Sequence, residues 1–234
     1  MQPLKIYVGY DGREDIAWQV CRHSIERHAS DQVSIHPLRQ PDLRGLGLYT
    51  RPSDETASTE FSLTRFLTPY VAAHDGWTLF VDCDFLFTRD INHLLAGLDR
   101  RKAVYVVKHA YQPANSIKMD GKVQTAYPRK NWSSFMVFNG AHPLVKSLTP
   151  DVVNGSTPQH LHRFEWLPDG DDLIGDLDLE WNFLVGEYPP PEETPAAIHF
   201  TNGGPWFDEC RDVDFSDLWL REKDLLAERN RELP

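Results

Sequence analysis

The sequence predicts an α/β protein with a central mixed sheet flanked by helices. Three observations predict it. An apolar run at residues 4–10 is followed by helical periodicity and a second short apolar run, which is the opening of a βαβ unit. A strand-like run at residues 77–81 ends in two carboxylates, Asp82 and Asp84. Further β-branched or aromatic runs recur at 103–107, 134–139 and 196–200, separated by turn-forming residues.

In chain order, residues 4–10 read as a first buried strand, and Ile16, Val20, Cys21 and Ile25 then recur at helical spacing. A short strand at 33–36 follows. Residues 39–58 mix Gly, Pro and charge without a period and read as a surface loop. Phe61, Arg65, Phe66, Tyr70 and Val71 predict a helix that leads into the strand at 77–81. After Asp84, residues 91–98 predict a short helix, 103–107 a strand, 111–130 a polar connection and 134–139 another strand. Beyond Pro143 the pattern weakens, because Pro, Gly and Asp punctuate short apolar pieces. Residues 187–195 are proline-rich and read as a surface connection before a last strand at 196–200. Phe215, Leu218, Trp219, Leu225 and Leu226 mark an amphipathic C-terminal helix. With no internal repeat or composition break, the expectation is one domain over 1–234, with 207–234 as a C-terminal helical extension.

Chemistry at large is bounded by size and charge. A chain of 234 residues can bury a substantial core. Its formal net charge of −11 argues against nucleic acid as the main partner, since phosphate neutralisation needs a basic stripe; a nucleotide needs only a local pocket. Cys21, Cys83 and Cys210 form no close pair, so neither a zinc knuckle nor a disulfide framework is suggested. The N-terminus lacks a signal peptide's apolar core, and no stretch is long enough to span a bilayer. The expected location is a reducing cytoplasm, without a transmembrane segment, and peripheral contact with a lipid-linked substrate stays open.

Three constellations carry chemistry. Asp82 and Asp84 stand two residues apart in extended chain, so both point to one side, where carboxylate oxygens suit magnesium, manganese or calcium. Acidic residues also cap strands and enter turns, and spacing alone does not separate the two. Gly9-Tyr10-Asp11-Gly12-Arg13 follows the first strand: Tyr10 can stack on a base, Asp11 accept hydrogen bonds from base or ribose, and Arg13 face phosphate. An ordinary β-to-α turn uses the same residue types. Last, His199 stands near a strand end before Gly203-Gly204, where an imidazole can ligate a metal and a glycine turn lets backbone amides approach phosphate.

The order of these elements resembles a known family. Residues 6–11, then Leu63-Thr64-Arg65-Phe66 ahead of Val81-Asp82-Cys83-Asp84, then Phe135-Met136-Val137-Phe138-Asn139, Trp181-Asn182-Phe183, and His199 near Gly203 and Pro205-Trp206 stand in the order of its landmarks. The chain resembles a retaining glycosyltransferase of the GT-A type, Rossmann-like fold, similar to the glycogenin and lipopolysaccharide galactosyltransferase family (glycosyltransferase family 8). The resemblance implies transfer of a hexose from a nucleotide sugar, UDP-linked, to a saccharide or other glycan acceptor. It implies that Asp82, Asp84 and His199 hold Mn2+ or Mg2+ on the donor diphosphate. Val8, Tyr10, Asp11 and Arg13 would serve the nucleotide, Arg65 the phosphate or donor sugar, and Gly203 the phosphate.

The chain departs from that family at three places. Gly204 stands where relatives carry a lysine, leaving Lys108, Lys118 and Lys130 as substitute cations. Trp132-Ser133-Ser134 replaces an Asn-x-Gly. The Asp-Gln-Asp segment near the reacting carbon has no counterpart between Pro158 and Asp172, and Glu165, then Gln159, are the candidates for its role. Two other classes compete: a haloacid-dehalogenase-like phosphatase, which also uses a strand ending in Asp-x-Asp, and a nucleotide-sugar-binding module without turnover. Trp132, Trp166, Trp181 and Trp206 could stack on sugars or pack the core.

Overall fold

The computed structural model describes residues 3–52, 58–109, 129–168 and 170–232. Strand β1 (Leu4–Tyr10) buries Leu4, Ile6 and Val8 at every second position, the period of a pleated strand. Helix α1 (Asp15–His28) turns Ala17, Cys21, Ser24 and Ile25 inward at helical spacing. Strand β2 (Val33–Arg39) runs parallel to β1 along its whole length, with Leu4 opposite Val33 and Tyr10 opposite Arg39.

The predicted loop at 39–58 opens with helix α2 (Gln40–Gly45), which has a proline in its first turn and is held by buried Leu43. The predicted helix across 61–71 is broken into a 3-10 turn at Thr64–Leu67 and helix α3 (Thr68–Val71). Pro69, with no N–H to donate, stands where the two meet.

Strand β3 (Trp77–Val81) follows, then Asp82-Cys83-Asp84 and strand β4 (Phe85–Phe87). A 3-10 turn at Ile91–Leu95 stands where a helix over 91–98 was expected. Strands β5 (Val104–Val106) and β6 (Phe135–Asn139) match the predicted runs. Most of the polar connection at 111–130 lies outside the described residues.

The weak pattern after Pro143 resolves into helices α4 (Pro143–Lys146), α5 (Pro150–Gly155) and α6 (Pro158–His162), each with a proline in its first turn. Side chains of His142, Thr149 and Thr157 cap them. Strands β7 (Ile174–Asp176), β8 (Phe183–Leu184) and β9 (Ala197–His199) come next, and helix α7 (Ser216–Glu232) ends the described chain. Strands β4, β7 and β8 are two or three residues long, too short for alternation to reveal them.

The strands form a six-stranded sheet in the order β2-β1-β3-β6-β5-β7 and a three-stranded sheet in the order β4-β9-β8. In the large sheet β6 is antiparallel to both β3 and β5, and the other pairs are parallel. It is the mixed, helix-flanked sheet that the sequence predicts. The chain leaves β1 toward β2 on one side and returns to β3 on the other, which makes the β1/β3 boundary a topological switch point. Ligands of open α/β sheets bind outside the carboxyl ends of the strands at such points.

A second apolar cluster of Val20, Leu86, Val185, Ile198, Phe200 and Trp219 joins α1, the small sheet and α7. Buried Glu222 of α7 adds a polar clasp, pairing with His23 at 2.7 Å and Arg27 at 2.7 Å on α1. Among the described residues no helix is long and apolar enough to cross a membrane.

Candidate functional site

Strand β3 buries Leu79, Phe80 and Val81 completely, so the chain reaches the sheet edge at Asp82, the first position where a polar side chain can meet solvent. The Asp82 N–H donates to the Ser134 carbonyl at 2.9 Å, and the Phe200 N–H donates to the Asp84 carbonyl at 2.9 Å. These bonds bring the start of β6 and the end of β9 against the acidic pair. His199, the last residue of β9, lies opposite Phe85 in the ladder and stacks on its ring, with centroids 4.3 Å apart.

The result is a cluster of Asp82, Asp84 and His199 whose ligand atoms all lie within 4.8 Å of one another. His199 Nε2 is 3.2 Å from Asp84 Oδ2, and the imidazole is buried. Two carboxylates and an imidazole make a set that suits Mn2+ or Mg2+, and the residues present fit such an ion.

Arg65, from the 3-10 turn before α3, supplies a fixed positive charge beside Asp82 at 2.9 Å. Its guanidinium also donates to the Ser133 carbonyl at 2.9 Å and lies over the Phe80 ring at 5.1 Å. Around it, the His162 imidazole is pushed down to about 3 by burial and by the Arg65 charge. His162 Nδ1 meets the Ser133 hydroxyl at 2.8 Å.

The turn after β1 is more engaged than its sequence suggests. Asp11 is fully buried and receives Arg13 Nε at 3.0 Å and Nη2 at 2.7 Å, together with the N–H groups of Arg13 and Glu60. Burial alone would raise this carboxyl, but these hydrogen bonds outweigh it and hold it below the usual range. The Arg13 guanidinium thus faces Asp11 and the Ser58 carbonyl. The Tyr10 hydroxyl donates to Asp15 at 2.7 Å, and the Arg39 guanidinium covers its ring at 4.1 Å. The Val8 side chain is fully buried in the core, between β2 and β3 in the sheet.

Gly203 has φ of +108°, a conformation that favours glycine, and its N–H donates to the Phe200 carbonyl at 2.8 Å. A side chain at Gly204 would run into the Trp206 ring. Among the substitute cations, Lys108 lies over the Trp132 ring, Lys130 is buried, and Lys118 lies outside the described residues. Glu165 is exposed beside His160 and Arg163, and among the described residues no side-chain contact ties it to the cluster. Gln159 is exposed on α6. Trp132, Trp166 and Trp181 are buried packing residues, and Trp206 packs against the second apolar cluster.

Three residues at the site escaped the sequence reading. Glu14, which precedes the first residue of α1 without a side-chain capping bond, has its carboxyl pushed up to about 8 by burial and by the charges of Asp84 and Asp11. An acidic residue at a helix start reads as an ordinary cap, so its sequence context gave no signal. Asn182 and Ser134 are buried and hydrogen-bonded to each other at 2.9 Å, with Asn182 meeting His199 at 2.8 Å. Asn182 stood out only as part of Trp181-Asn182-Phe183.

Known proteins agree with this architecture. WbbM, a bifunctional glycosyltransferase, matches with a TM-score of 0.65 at 16% identity, over 94% of this chain and 49% of its own. The glycosyltransferase GlyE of Streptococcus pneumoniae TIGR4, in its apo form, matches with a TM-score of 0.63 at 14% identity, over 97% of this chain and 63% of its own. The chain therefore spans about half the length of WbbM and under two thirds of GlyE. No family model matches the chain.

Sheet order and structural neighbours define a protein of the GT-A fold, the fold of these glycosyltransferases. Protein CDI of Arabidopsis thaliana is 48% identical over 234 residues, covering 98% of this chain and 90% of that protein. The chain belongs to the family of Protein CDI.

Proposed function

We propose that this protein is a metal-dependent glycosyltransferase that moves a hexose from a nucleotide sugar, UDP-linked, to a saccharide or other glycan acceptor, with retention at the anomeric carbon. The observation that carries the reading is the Asp82, Asp84 and His199 cluster at the switch point of a GT-A sheet. Retention and the UDP donor rest on the resemblance of the motif order to the glycogenin and lipopolysaccharide galactosyltransferase family.

When bound, Mn2+ or Mg2+ would neutralise the negative charge that develops on the departing nucleoside diphosphate. Asp82, Asp84 and His199 would hold it, and Arg65 adds a second positive charge on the Asp82 side. The turn at Tyr10, Asp11 and Arg13 closes the other side of the switch point, with Asp11 as the anchor that keeps the turn in shape. The phosphatase alternative is not favoured, since its first aspartate must be a free nucleophile and Asp82 is engaged by Arg65.

The test is a thermal-shift screen of UDP, GDP and CDP sugars with and without Mn2+, followed by donor turnover. A ligand specific to the folded state raises the melting temperature with its saturation. The expected result is a Mn2+-dependent shift with UDP sugars that Asp84→Asn and His199→Ala abolish. Unchanged metal-dependent binding in both variants refutes the site, and tight donor binding without turnover indicates a binding module.

A further inference from the structure

Hydrogen-bond donors and acceptors around His199 run in one direction through four residues. Asn131, with φ of +64°, presents its carbonyl to the Ser134 hydroxyl, which donates to it at 2.7 Å. That hydroxyl has spent its one proton, so toward Asn182 it can only accept, and Asn182 Nδ2 donates to it at 2.9 Å. The same Nδ2 also points at the Asn131 carbonyl, 3.4 Å away. The amide orientation of Asn182 is therefore fixed, and its Oδ1 faces His199 Nδ1 at 2.8 Å. A carbonyl oxygen only accepts, which puts the imidazole proton on Nδ1 and leaves Nε2 with its lone pair directed at the acidic pair.

We propose that Ser134 and Asn182 are positioning residues that hold His199 in its Nδ1–H tautomer and so preset Nε2 as the nitrogen ligand of the metal cluster. The proposal rests on the metal-dependent reading above. With Nδ1 protonated, Nε2 and Asp84 Oδ2 face each other as acceptors across 3.2 Å, a contact that a cation between them makes favourable. Burial makes the relay stiff: Asn182 is fully buried, Ser134 and His199 nearly so, and Phe85 stacks on the imidazole.

Ser134 acts on both halves of the cluster. Its hydroxyl works through Asn182 on His199, while its carbonyl receives the Asp82 N–H at 2.9 Å. The start of β6 thereby sets the separation of the imidazole from the acidic pair.

Two measurements test the proposal. Long-range proton–nitrogen correlation spectra of histidine-labelled wild-type protein, recorded in mildly alkaline buffer without metal, are expected to show His199 protonated at Nδ1 and bare at Nε2. Mn2+ affinity, read by electron paramagnetic resonance, is expected to fall about 10- to 100-fold in Asn182→Ala, the usual effect of removing such a partner. Asn182→Asp keeps the acceptor oxygen and is expected to retain most of the affinity. A proton on Nε2, or equal losses in Asn182→Ala and Asn182→Asp, overturns the relay while leaving the metal site standing. Wild-type protein that binds no Mn2+ with or without UDP overturns the metal-dependent reading itself, and the relay's purpose with it.

Discussion

Arg65 holds its guanidinium 2.9 Å from the Asp82 carboxylate, with the two side chains only 7% and 14% exposed. The pair joins the turn before α3 to the end of β3, and it places a positive charge where an added cation must share Asp82. Removing one partner of such a pair leaves the other charge in a poorly solvated place, at about 3–5 kcal/mol. Arg65→Leu is expected to lower unfolding free energy by that order in urea titrations. Part of the loss should return when Mn2+ is added, because the ion replaces the missing positive charge. Arg65→Lys should fall between the two, since an ammonium lacks the planar fork that also serves the Ser133 carbonyl.

Glu14 gives the protein an alkaline weakness. Its carboxyl titrates near 4.5 in the unfolded chain and is pushed up to about 8 in the folded one, by burial first and then by Asp84 and Asp11. Between those values the folded state holds the extra proton, so stability declines as pH rises from about 4.5 to about 8, by roughly 5 kcal/mol in all. Glu14→Gln should flatten that limb in melting curves collected across pH. A cation at Asp84 offsets part of the nearby negative charge, so Mn2+ should shorten the decline from its alkaline end.

His162 and His109 work in the opposite direction. Both are pushed down to about 3, each by burial first, with the Arg65 charge adding to it for His162 and the neighbouring His199 imidazole for His109. Their contribution is complete above about 6.5 and is lost as pH falls toward 3, because the unfolded chain takes up the protons first, by up to about 5 kcal/mol per group. His162→Gln, which can still meet the Ser133 hydroxyl, should shift the acid unfolding midpoint to lower pH. An unmoved midpoint would show that His162 does not limit acid stability.

Gly9 is tied to the same region through packing. A methyl group at this position would sit 2.5 Å from Phe61 Cδ2, and Phe61 is buried, with the Arg65 guanidinium 5.4 Å over its ring. Gly9→Ala should cost about 1–3 kcal/mol, the usual effect of overpacking a tight core. Gly12→Ala, where no atom lies within 4 Å of the added methyl, is the matched comparison, and its melting temperature should change far less.

The sequence disclosed the parts of this fold that repeat a period for long enough to be seen. Strand β1 and helices α1 and α7 each carry several pleats or turns of periodic burial, and strand β6 is an unbroken five-residue run that is buried throughout. Strands β4, β7 and β8 and helices α4 to α6 show neither, and their existence depends on partners distant in the chain, such as Phe85 opposite His199. The same division applies to the site. Asp82 and Asp84 announce themselves because two carboxylates end an apolar run, and His199 because it ends another. Arg13 carries the right charge for phosphate, yet the structure turns it onto Asp11, a partner that its position two residues away allows but does not dictate. Glu14, Ser134 and Asn182 act through what surrounds them, which spacing along the chain does not reveal.

The segment Asp82-Cys83-Asp84 is also the joint between the two sheets, since β3 belongs to the six-stranded one and β4 to the three-stranded one. Phe85 and Phe87 face the main core, while Leu86 faces the cluster shared with α7. Its three-residue length therefore works as a gauge. One inserted residue would exchange the two faces of β4, sending Leu86 toward the main core and withdrawing Phe85 from the His199 ring. The spacing of the two carboxylates is thus fixed by the packing of the sheets on either side of them.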